Sequence, residues 1–161
     1  MKVGAILRLR IKQNHHIILI ENASIYFVVE KLIHNLFSKE EQKLIKYVDN
    51  YSFYSYYGNF ISHNIVDHFG KILYPLLNKN ISVRTWAHVQ RREFESIEVE
   101  LHKHEKTADS SIEKMGIMSV CAYSSSDISA SLETRMLQSH EFLMTDEEFV
   151  LSPLYKKLTK R

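Results

Sequence analysis

Residues 16–21 read HIILIE, a run of large apolar side chains that ends in a carboxylate. A strand with one face in water alternates apolar and polar residues, whereas this run is apolar at each position from Ile17 to Ile20. Such a run is typical of a strand buried on both faces of a parallel sheet. The polar pair Glu21-Asn22 ends it, and Asn22 can cap a helix that begins at the next residue. The stretch therefore predicts a strand followed at once by a helix.

Similar apolar runs recur along the chain and alternate with stretches of helical periodicity. They predict further strands at Ile45–Val48, Ile81–Val89, Ile117–Tyr123 and Glu141–Thr145, with a short tail from Phe149. Alternation of strands and helices is typical of an α/β fold, so we expect a mainly parallel sheet with helices on both faces. The most apolar runs are predicted to be central, parallel neighbours in that sheet: Ile17–Ile20, Val83–Ala87 and Ile117–Cys121.

Helices are predicted where apolar residues recur at three- and four-residue steps. These stretches are Ala23–Phe37, Ser62 to about Asn78, Glu93–Met115 and Ser129–Ser139. Ser38 and Glu41 have the spacing of a capping box, which opens a further short helix. The aromatic-rich segment Tyr51–Phe60 (YSFYSYYGNF) has two interpretations. It is either a surface that stacks a ligand or an extended segment whose rings cover the sheet, the commoner use of aromatic side chains.

Length and composition limit the class of protein. The 161 residues carry a net charge of +2 and 45% hydrophobic residues, which is typical of one globular domain. We expect residues 1–161 to form this domain, with 1–14 as a frayed or truncated lead-in and 156–161 as a basic tail. A single Cys suits a reducing, cytoplasmic compartment. No basic stripe predicts nucleic-acid binding, and no apolar run approaches the ~18 residues of a membrane span.

The chain lacks the common sequence motifs of catalysis and cofactor binding. It contains no phosphate-binding Gly-x-x-x-x-Gly-Lys loop, no dinucleotide-binding Gly-x-Gly-x-x-Gly and no nucleophilic Gly-x-Ser-x-Gly. Cys121 lies within an apolar run, which favours core packing over reactivity. The pairs Glu98/His102 and His63/Asp67 have helical spacing but no third ligand, so we expect no metal and no cofactor. The sequence thus predicts a binding protein rather than an enzyme.

Polar and aromatic residues follow the ends of the predicted strands, and these groups should converge at one edge: Glu21-Asn22, Asp49-Asn50, Trp86–His88 and Tyr123. Open parallel sheets bind ligands beyond the carboxyl ends of their strands. The residues predicted to line one pocket there, for a small organic molecule, are Glu21, Asn22, Trp86, His88 and Tyr123. Trp86 has the alternative of packing in the core under the helix Glu93–Met115. His140, at the end of a predicted helix, has either a pocket role or a helix-capping role.

Arg84 lies in the middle of a predicted strand, on the same face as Trp86. A guanidinium buried there needs a partner, because an unpaired charge in a protein interior is costly. The residues Glu93, Glu95 and Glu98 open the next helix. We predict a structural ion pair between Arg84 and Glu93, with direct contact between Arg84 and a ligand as the alternative.

Four phrases of the sequence, in their order and spacing, resemble those of the MEDS family, the methanogen/methylotroph sensory domain. Ile18–Glu21 is followed by a helix, and Val83–Val89 (VRTWAHV) precedes a long Glu-rich helix. Ser119–Tyr123 (SVCAY) and Ser139–Asp146 (SHEFLMTD) come after it. The resemblance covers nearly the whole chain and is closest to stand-alone MEDS-like proteins. Because the family domain usually opens with one more apolar strand and helix, the resemblance implies an N-terminally shortened domain.

The resemblance implies a fold and a function. The implied fold is an α/β domain with a RecA-like core that lacks the phosphate-binding loop. The implied function is a sensory role in bacterial signal transduction or transcriptional regulation, with small hydrocarbon derivatives as ligands and an output partner such as a kinase or regulator. By matched position, the family's recurrent residues are Trp86, Cys121, Tyr123 and His140. The alternative function is a regulatory protein that acts only through protein–protein contacts, without a small ligand.

Overall fold

The main sheet consists of parallel strands. A computed structural model describes residues 10–55, 62–89, 107–124, 126, 128–145 and 147–155. Within these ranges the four strands of the sheet are β1 (His16–Glu21), β2 (Ile45–Asp49), β3 (Val83–His88) and β4 (Met118–Ala122). Their spatial order is β2-β1-β3-β4, and each pairing is parallel. The predicted α/β class is therefore confirmed, and the sheet is consistent with a RecA-like core.

Strands β1 and β3 form the middle of the described sheet. Ile17 aligns with Ile45 on one side and with Arg84 on the other, so β1 has a hydrogen-bonded neighbour at each edge. The prediction that the first and third strands are central is confirmed. Among the described strands β4 is outermost, and Met118 at its start is 51% exposed, so the predicted central position of this strand is wrong.

Helices flank the sheet. Their bounds are α1 (Ala23–Leu36), α2 (Lys39–Gln42), α3 (Asn50–Ser55), α4 (Ser62–Leu77) and α5 (Ala130–Ser139). Residues 107–115 are also helical and lead to Gly116, whose φ of 65° is the left-handed conformation that glycine adopts easily. Most of the predicted helix Glu93–Met115, including Glu93 itself, lies outside the described residues.

Two helices begin at the side-chain caps that the sequence predicts. Asn22 Oδ1 accepts the backbone N–H of Ile25 at 2.8 Å in the first turn of α1. Before α2, the Ser38 hydroxyl accepts the Glu41 N–H at 3.3 Å and Glu41 Oε2 accepts the Ser38 N–H at 2.8 Å. Each cap pairs an N–H group that a helix start leaves without a partner. Because Asn22 directly follows β1, helix α1 starts at the carboxyl edge of the sheet.

Helices pack on both faces of the sheet, as predicted. On one face, here called the α1 face, Ile17 and Leu19 form a buried cluster with Ile33 of α1. On the other, the α4 face, Ile18 and Ile20 belong to a larger cluster that also includes Phe53, Leu73 and Leu132. Alternate residues of a strand point to opposite faces. The unbroken apolar run of β1 is explained by this arrangement, because it supplies both cores.

The aromatic segment Tyr51–Phe60 is only partly as predicted. Its first half is not extended, because the residues from Asn50 to Ser55 form α3. Phe53 is buried in the α4-face core and its ring lies edge-on to Tyr54, with centroids 4.9 Å apart. Rings of this half therefore cover the sheet, as the second interpretation expects. Residues 56–61 lie outside the described ranges.

The predicted last strand does not join the main sheet. Strand β5 (Phe142–Met144) instead pairs with β6 (Phe149–Leu151) in a separate antiparallel, two-stranded sheet. The backbone N–H of Thr145 donates to the carbonyl oxygen of Glu148 at 2.9 Å and closes the turn between them. Antiparallel strands can be joined by such a short turn, as in a hairpin. The predicted short tail thus provides the partner strand.

The ends of the chain were predicted to be a lead-in and a basic tail. Residues 10–12 are helical, and Ile11 packs with the α1-face cluster. Residues 1–9 and 156–161 lie outside the described ranges. In the described part of the chain, the helices are too short or too polar to cross a membrane.

Replacement of Ile18 by Ala tests the packing of β1. The side chain is completely buried, so its removal leaves a cavity in the α4-face core. We expect Ile18→Ala to lower the free energy of unfolding by about 2–5 kcal/mol, the usual range for such core substitutions. The control Lys46→Ala, at an exposed position of β2, should change it by less than about 0.5 kcal/mol. Urea unfolding followed by circular dichroism measures both, and equal losses would contradict the placement of Ile18.

Candidate functional site

Three ionisable residues lie in one row across the carboxyl edge of the sheet. The β1–β2 register aligns Glu21 with Asp49, and the alignment of Ile20 with Ala87 places His88 beside Glu21. Aligned residues of neighbouring parallel strands share a face, and the strands lie about 4.8 Å apart. The row Asp49–Glu21–His88 therefore crosses three strands on the α1 face.

The Glu21 carboxylate is buried and is hydrogen-bonded to three donors. Oε1 accepts the backbone N–H of Asn22 at 2.9 Å and lies 2.5 Å from Nδ1 of His88. Oε2 accepts the indole N–H of Trp86 at 3.4 Å. Because an ionised carboxylate only accepts hydrogen bonds, Nδ1 of His88 carries the proton in this contact. Glu21 is 7% exposed, and the three donors offset the cost of removing its charge from water.

Aromatic side chains lie one step from this row towards the amino edge. Tyr47, Leu19 and Trp86 align across β2, β1 and β3. Tyr26 of α1 stacks on Tyr47, with ring centroids 3.7 Å apart and an interplanar angle of 15°. Trp86 packs against the α1-face cluster. The polar row thus stands at the end of an aromatic surface, a combination suited to a small molecule with an apolar body and one polar group.

Asp49 adds a second negative charge to the edge. Its Oδ1 accepts the backbone N–H of Ser52 at 2.8 Å, and this hydrogen bond holds the pKa of Asp49 below its usual value. Oδ2 accepts the hydroxyl of Tyr47 at 3.4 Å. The pKa of Tyr47 is raised, first by burial, then by the charge of Asp49 and to a smaller extent by that of Glu21. The ring of Tyr47 therefore lies in a negative electrostatic field.

Asn50 connects the ends of β2 and β3. It is completely buried at the start of α3, and its Nδ2–H donates to the carbonyl oxygen of His88 at 3.2 Å. Its Oδ1 is buried without a hydrogen-bond partner in the described part of the chain. Exchanging the amide oxygen and nitrogen would set two acceptors against each other, so the orientation with Nδ2 towards His88 is the favourable one. Among the described residues of this edge, Asn50 Oδ1 is thus a buried acceptor without a hydrogen bond.

The contact between Glu21, Trp86 and His88 lies where the strand order reverses. After β1 the chain crosses to β2 on one side, and it then crosses back to β3 on the other side of β1. In open α/β sheets such a reversal leaves a crevice between the carboxyl ends of the two inner strands, and ligands bind in it. Glu21 ends β1, whereas Trp86 and His88 lie at the end of β3.

Of the residues predicted for the site, the structure brings Glu21, Trp86 and His88 into direct contact. Asn22 adjoins them, but its side chain caps α1 and also accepts the hydroxyl of Ser24 at 2.7 Å. Asn22 therefore has a structural task in this structure, while its backbone N–H takes part in the Glu21 contact.

The other predicted site residues lie elsewhere. Tyr123 and Cys121 pack against the cluster on the α4 face, opposite to the row. His140 follows α5, where its backbone N–H and its Nδ1 each lie 3.0 Å from the carbonyl oxygen of Met136. The helix-capping alternative for His140 is the one that matches this geometry. Contact of any of these residues with a ligand stays a prediction.

Sequence reasoning missed Tyr47 at this edge, and it placed Asp49 and Asn50 among the converging strand ends without including them in the predicted pocket. The signal for them was present, because the second predicted strand ends in the polar pair Asp49-Asn50, just as the first ends in Glu21-Asn22. To place Tyr47 at this edge, one must know the register between β1 and β2, and the pattern of a single sequence does not provide it.

The row contains residue types that bind metals but does not form a metal site. Asp, Glu and His are common ligands, and a site needs at least three of them directed at one point. Within the ranges that the structure covers, no three His, Cys, Asp or Glu side chains are grouped in that way. The arrangement at this edge is instead a hydrogen-bonded carboxylate with its donors.

Arg84 lies two residues before Trp86 on the same face, towards the amino edge. Its predicted partner Glu93 is outside the described residues, so the structural ion pair stays a prediction. In the structure Nη1–H of Arg84 donates to the carbonyl oxygen of Val83 at 3.3 Å.

Fold and edge together define a class of protein: an open, parallel α/β domain with a polar group of residues at its strand reversal. Within that class, the chain belongs to the MEDS family, described as the methanogen/methylotroph, DcmR sensory domain, whose family model matches residues 3–141. The resemblance and the sensory role it implies are thereby confirmed. No curated protein and no solved structure matches the chain. The hairpin of β5 and β6 lies beyond the matched range.

Replacement of Glu21 tests the buried hydrogen-bond network. Glu21→Ala removes the acceptor of Asn22, Trp86 and His88 together, and buried donors without acceptors are costly. We expect the free energy of unfolding to fall by about 2–4 kcal/mol. Glu40→Ala is the matched control, since Glu40 pairs with Lys43 on the surface, where an ion pair contributes about 0–1 kcal/mol. Chemical denaturation distinguishes the two, and a loss no larger than that of the control would contradict the network.

Titration of Tyr47 tests the negative field. The pKa of Tyr47 is higher in the folded state than in the unfolded state, where it is about 10. The stability that this group contributes is therefore present below pH about 10 and is lost as the pH rises through the folded-state pKa. Asp49→Asn should bring the pKa of Tyr47 down, because one of its causes is removed. NMR of ¹³C-labelled tyrosine rings, with Tyr47→Phe for assignment, measures the shift. An unchanged pKa would mean that Asp49 does not act on this ring.

Proposed function

We propose that this chain is a non-catalytic sensory domain that binds a small organic molecule at the carboxyl edge of its sheet and signals through a protein partner. Membership of a sensory family supports the general role. The observation that carries the binding proposal is the contact of Glu21, Trp86 and His88 at the strand reversal. Polar groups at that place in an open α/β sheet are typical of ligand sites.

The chemistry of the edge favours a small hydrocarbon derivative as the ligand. The rings of Trp86 and Tyr47 offer an apolar surface to a hydrocarbon body. The row of Asp49, Glu21 and His88 offers acceptors and an imidazole to one polar substituent. A molecule with both parts gains dispersion contacts and hydrogen bonds at once.

The edge also supplies a route from ligand to output. Helix α1 begins at Asn22, whose backbone N–H is bonded to Glu21, and helix α3 begins at Asn50, whose amide is bonded to the His88 carbonyl. A ligand that competes for Glu21 or displaces His88 would change the support of both helix starts. We propose that such a change is read by a partner such as a kinase or regulator.

Binding is preferred to catalysis because of what accompanies the Glu21–His88 pair. A carboxylate that orients a histidine is one part of a nucleophilic triad, but the pair acts only beside a nucleophile. Cys121, the single Cys of the chain, packs on the opposite face of the sheet, and the groups placed on Glu21 beside His88 are an indole N–H and a backbone N–H, which are not nucleophiles. The pair is therefore assigned a structural and ligand-positioning role.

A second candidate function, regulation by protein contact without a small ligand, is favoured by the outer surface of α1. Large apolar side chains remain exposed along this helix, with Phe27 at 57% and Val28 at 58%. The others are Ile25, Leu32 and Leu36. Exposed apolar side chains that lie together on one element are typical of interaction surfaces. In this case the domain would dock through α1, and the carboxyl edge would only stabilise the fold.

Fluorescence of the single tryptophan separates the two functions. Trp86 is the only Trp of the chain, so its emission reports the edge directly. We expect one member of a panel of short chloroalkanes, alcohols and alkylamines to change this emission and to raise the melting temperature, because a ligand that binds only the native state stabilises it. Trp86→Phe should weaken binding of that compound about tenfold and lower the free energy of unfolding by less than about 1.5 kcal/mol.

The control for this experiment is Tyr74→Phe, an exposed aromatic position on α4. It should change neither the affinity, followed by calorimetry, nor the melting temperature. If no compound alters emission or melting, and Trp86→Ala costs several kcal/mol as a core residue would, the ligand proposal at this edge is wrong. Protein contact through α1 is then the remaining function.

A further inference from the structure

Basic side chains are gathered at the amino edge of the sheet, opposite the edge discussed above. The helical residues 10–12 lie on the α1 face, where Ile11 is buried. The backbone N–H of His15 donates to the carbonyl oxygen of Arg10 at 3.1 Å. His16 then aligns with Val83, which brings the turn beside the start of β3 and its Arg84. Arg10, His15 and Arg84 are thus held near one another by the backbone.

Two of these side chains have buried nitrogens without hydrogen-bond partners. The Nε of Arg84 and the Nδ1 of His15 are both in this state in the described structure. Within the described residues, the Arg84 side chain makes a long hydrogen bond of 3.3 Å to the neighbouring Val83 carbonyl oxygen. A half-buried guanidinium with so little compensation is unfavourable, because its desolvation is not offset by an anion.

The charges of the two arginines disfavour each other, and both disfavour protonation of His15. The pKa of His15 is lowered by burial and then by the charges of Arg84 and Arg10. The pKa of Arg84 is lowered by burial and then by Arg10. No acidic side chain of the described residues forms an ion pair with either arginine. As far as the described residues go, the local field is therefore positive.

We propose that Arg84 and Arg10 form a binding site for an oxyanion, a phosphate or carboxylate group of a small molecule, with His15 beside it. A guanidinium presents a planar fork of donors that matches the oxygens of such groups. The anion supplies a counter-charge that the described residues of this edge do not provide. The site is separate from the carboxyl edge, since Arg84 precedes Trp86 by two residues, about 6.6 Å along the strand. It does not depend on the proposed ligand function.

Calorimetric titration of the full chain with inorganic phosphate tests the site, at constant ionic strength with chloride as the background anion. We expect saturable binding of phosphate. Arg84→Gln and Arg10→Gln should each weaken the affinity about tenfold, because each removes a charge-assisted hydrogen bond to the anion. Lys46→Gln, an exposed cation on β2, is the control and should leave the affinity unchanged. A parallel titration with acetate distinguishes the two sources: weaker binding of acetate assigns the site to phosphoryl groups, and equal binding assigns it to carboxylates.

Stability measurements separate an anion site from an internal ion pair. Without phosphate, Arg84→Gln should melt at the same temperature as the unaltered chain or higher, because an unpaired charge has been removed. Addition of phosphate should raise the melting temperature of the unaltered chain but not that of Arg84→Gln. Arg10→Gln provides the same comparison if Arg84→Gln does not fold. In the unaltered chain, phosphate should also shift the NMR signal of the Arg84 Nε–H.

Two results would overturn the proposal. The first is that, without phosphate, Arg84→Gln and Glu93→Gln both lower the melting temperature by a similar amount. Arg84 would then be paired with Glu93, as the sequence predicts. The other is an equal phosphate effect on the unaltered chain, Arg84→Gln and Lys46→Gln. That pattern is the general stabilisation by excluded salts and needs no site.

Discussion

The buried Glu21 carboxylate is the constraint on which the organisation of the carboxyl edge depends. It ends the strand that supplies both cores, and it cannot be buried without donors. Those donors come from three places: the backbone at the start of α1, the indole of Trp86 and the imidazole of His88. The hydrogen bonds that stabilise this one buried charge therefore fix where α1 begins, how β1 and β3 lie relative to each other, and the tautomer of His88.

The two edges of the sheet differ in charge, and the difference follows from the strands themselves. On the α1 face, β3 carries Arg84 near its start and His88 at its end, while β1 ends in Glu21. The side chains between them, Leu19 and Trp86, are apolar or aromatic and separate the charged groups. A polar ligand would therefore meet a negative row at one edge and a positive cluster at the other. Selectivity between cationic and anionic groups can be set by position along one strand, without a motif that sequence patterns reveal.

The sequence predicted correctly those features that are specified by residues close together in the chain. The apolar run of β1 and the alternation in β3 specify buried strands by themselves, and the caps at Asn22 and Ser38 depend on residues three apart. Helix α3 was missed because its aromatic residues fit a short helix as well as an extended segment, and burial of Phe53 decided between them. The β5–β6 hairpin was missed because a three-residue strand carries no information about its partner. The contact of Glu21 with His88, 67 residues later, needs the strand register.

Asn50 gives a physical reason to regard the carboxyl edge as functional. A completely buried amide with an unpaired oxygen costs about 1–3 kcal/mol, and an apolar residue of similar size would avoid that cost. The fold retains it where α3 begins and where β3 ends, at the strand reversal. Local violations of packing and hydrogen-bonding rules in native proteins concentrate at sites that serve function. The hydrogen bond from Asn50 Nδ2–H to the His88 carbonyl oxygen joins the end of β3 to the start of α3, so the residue that carries the unpaired oxygen also links this edge to α3.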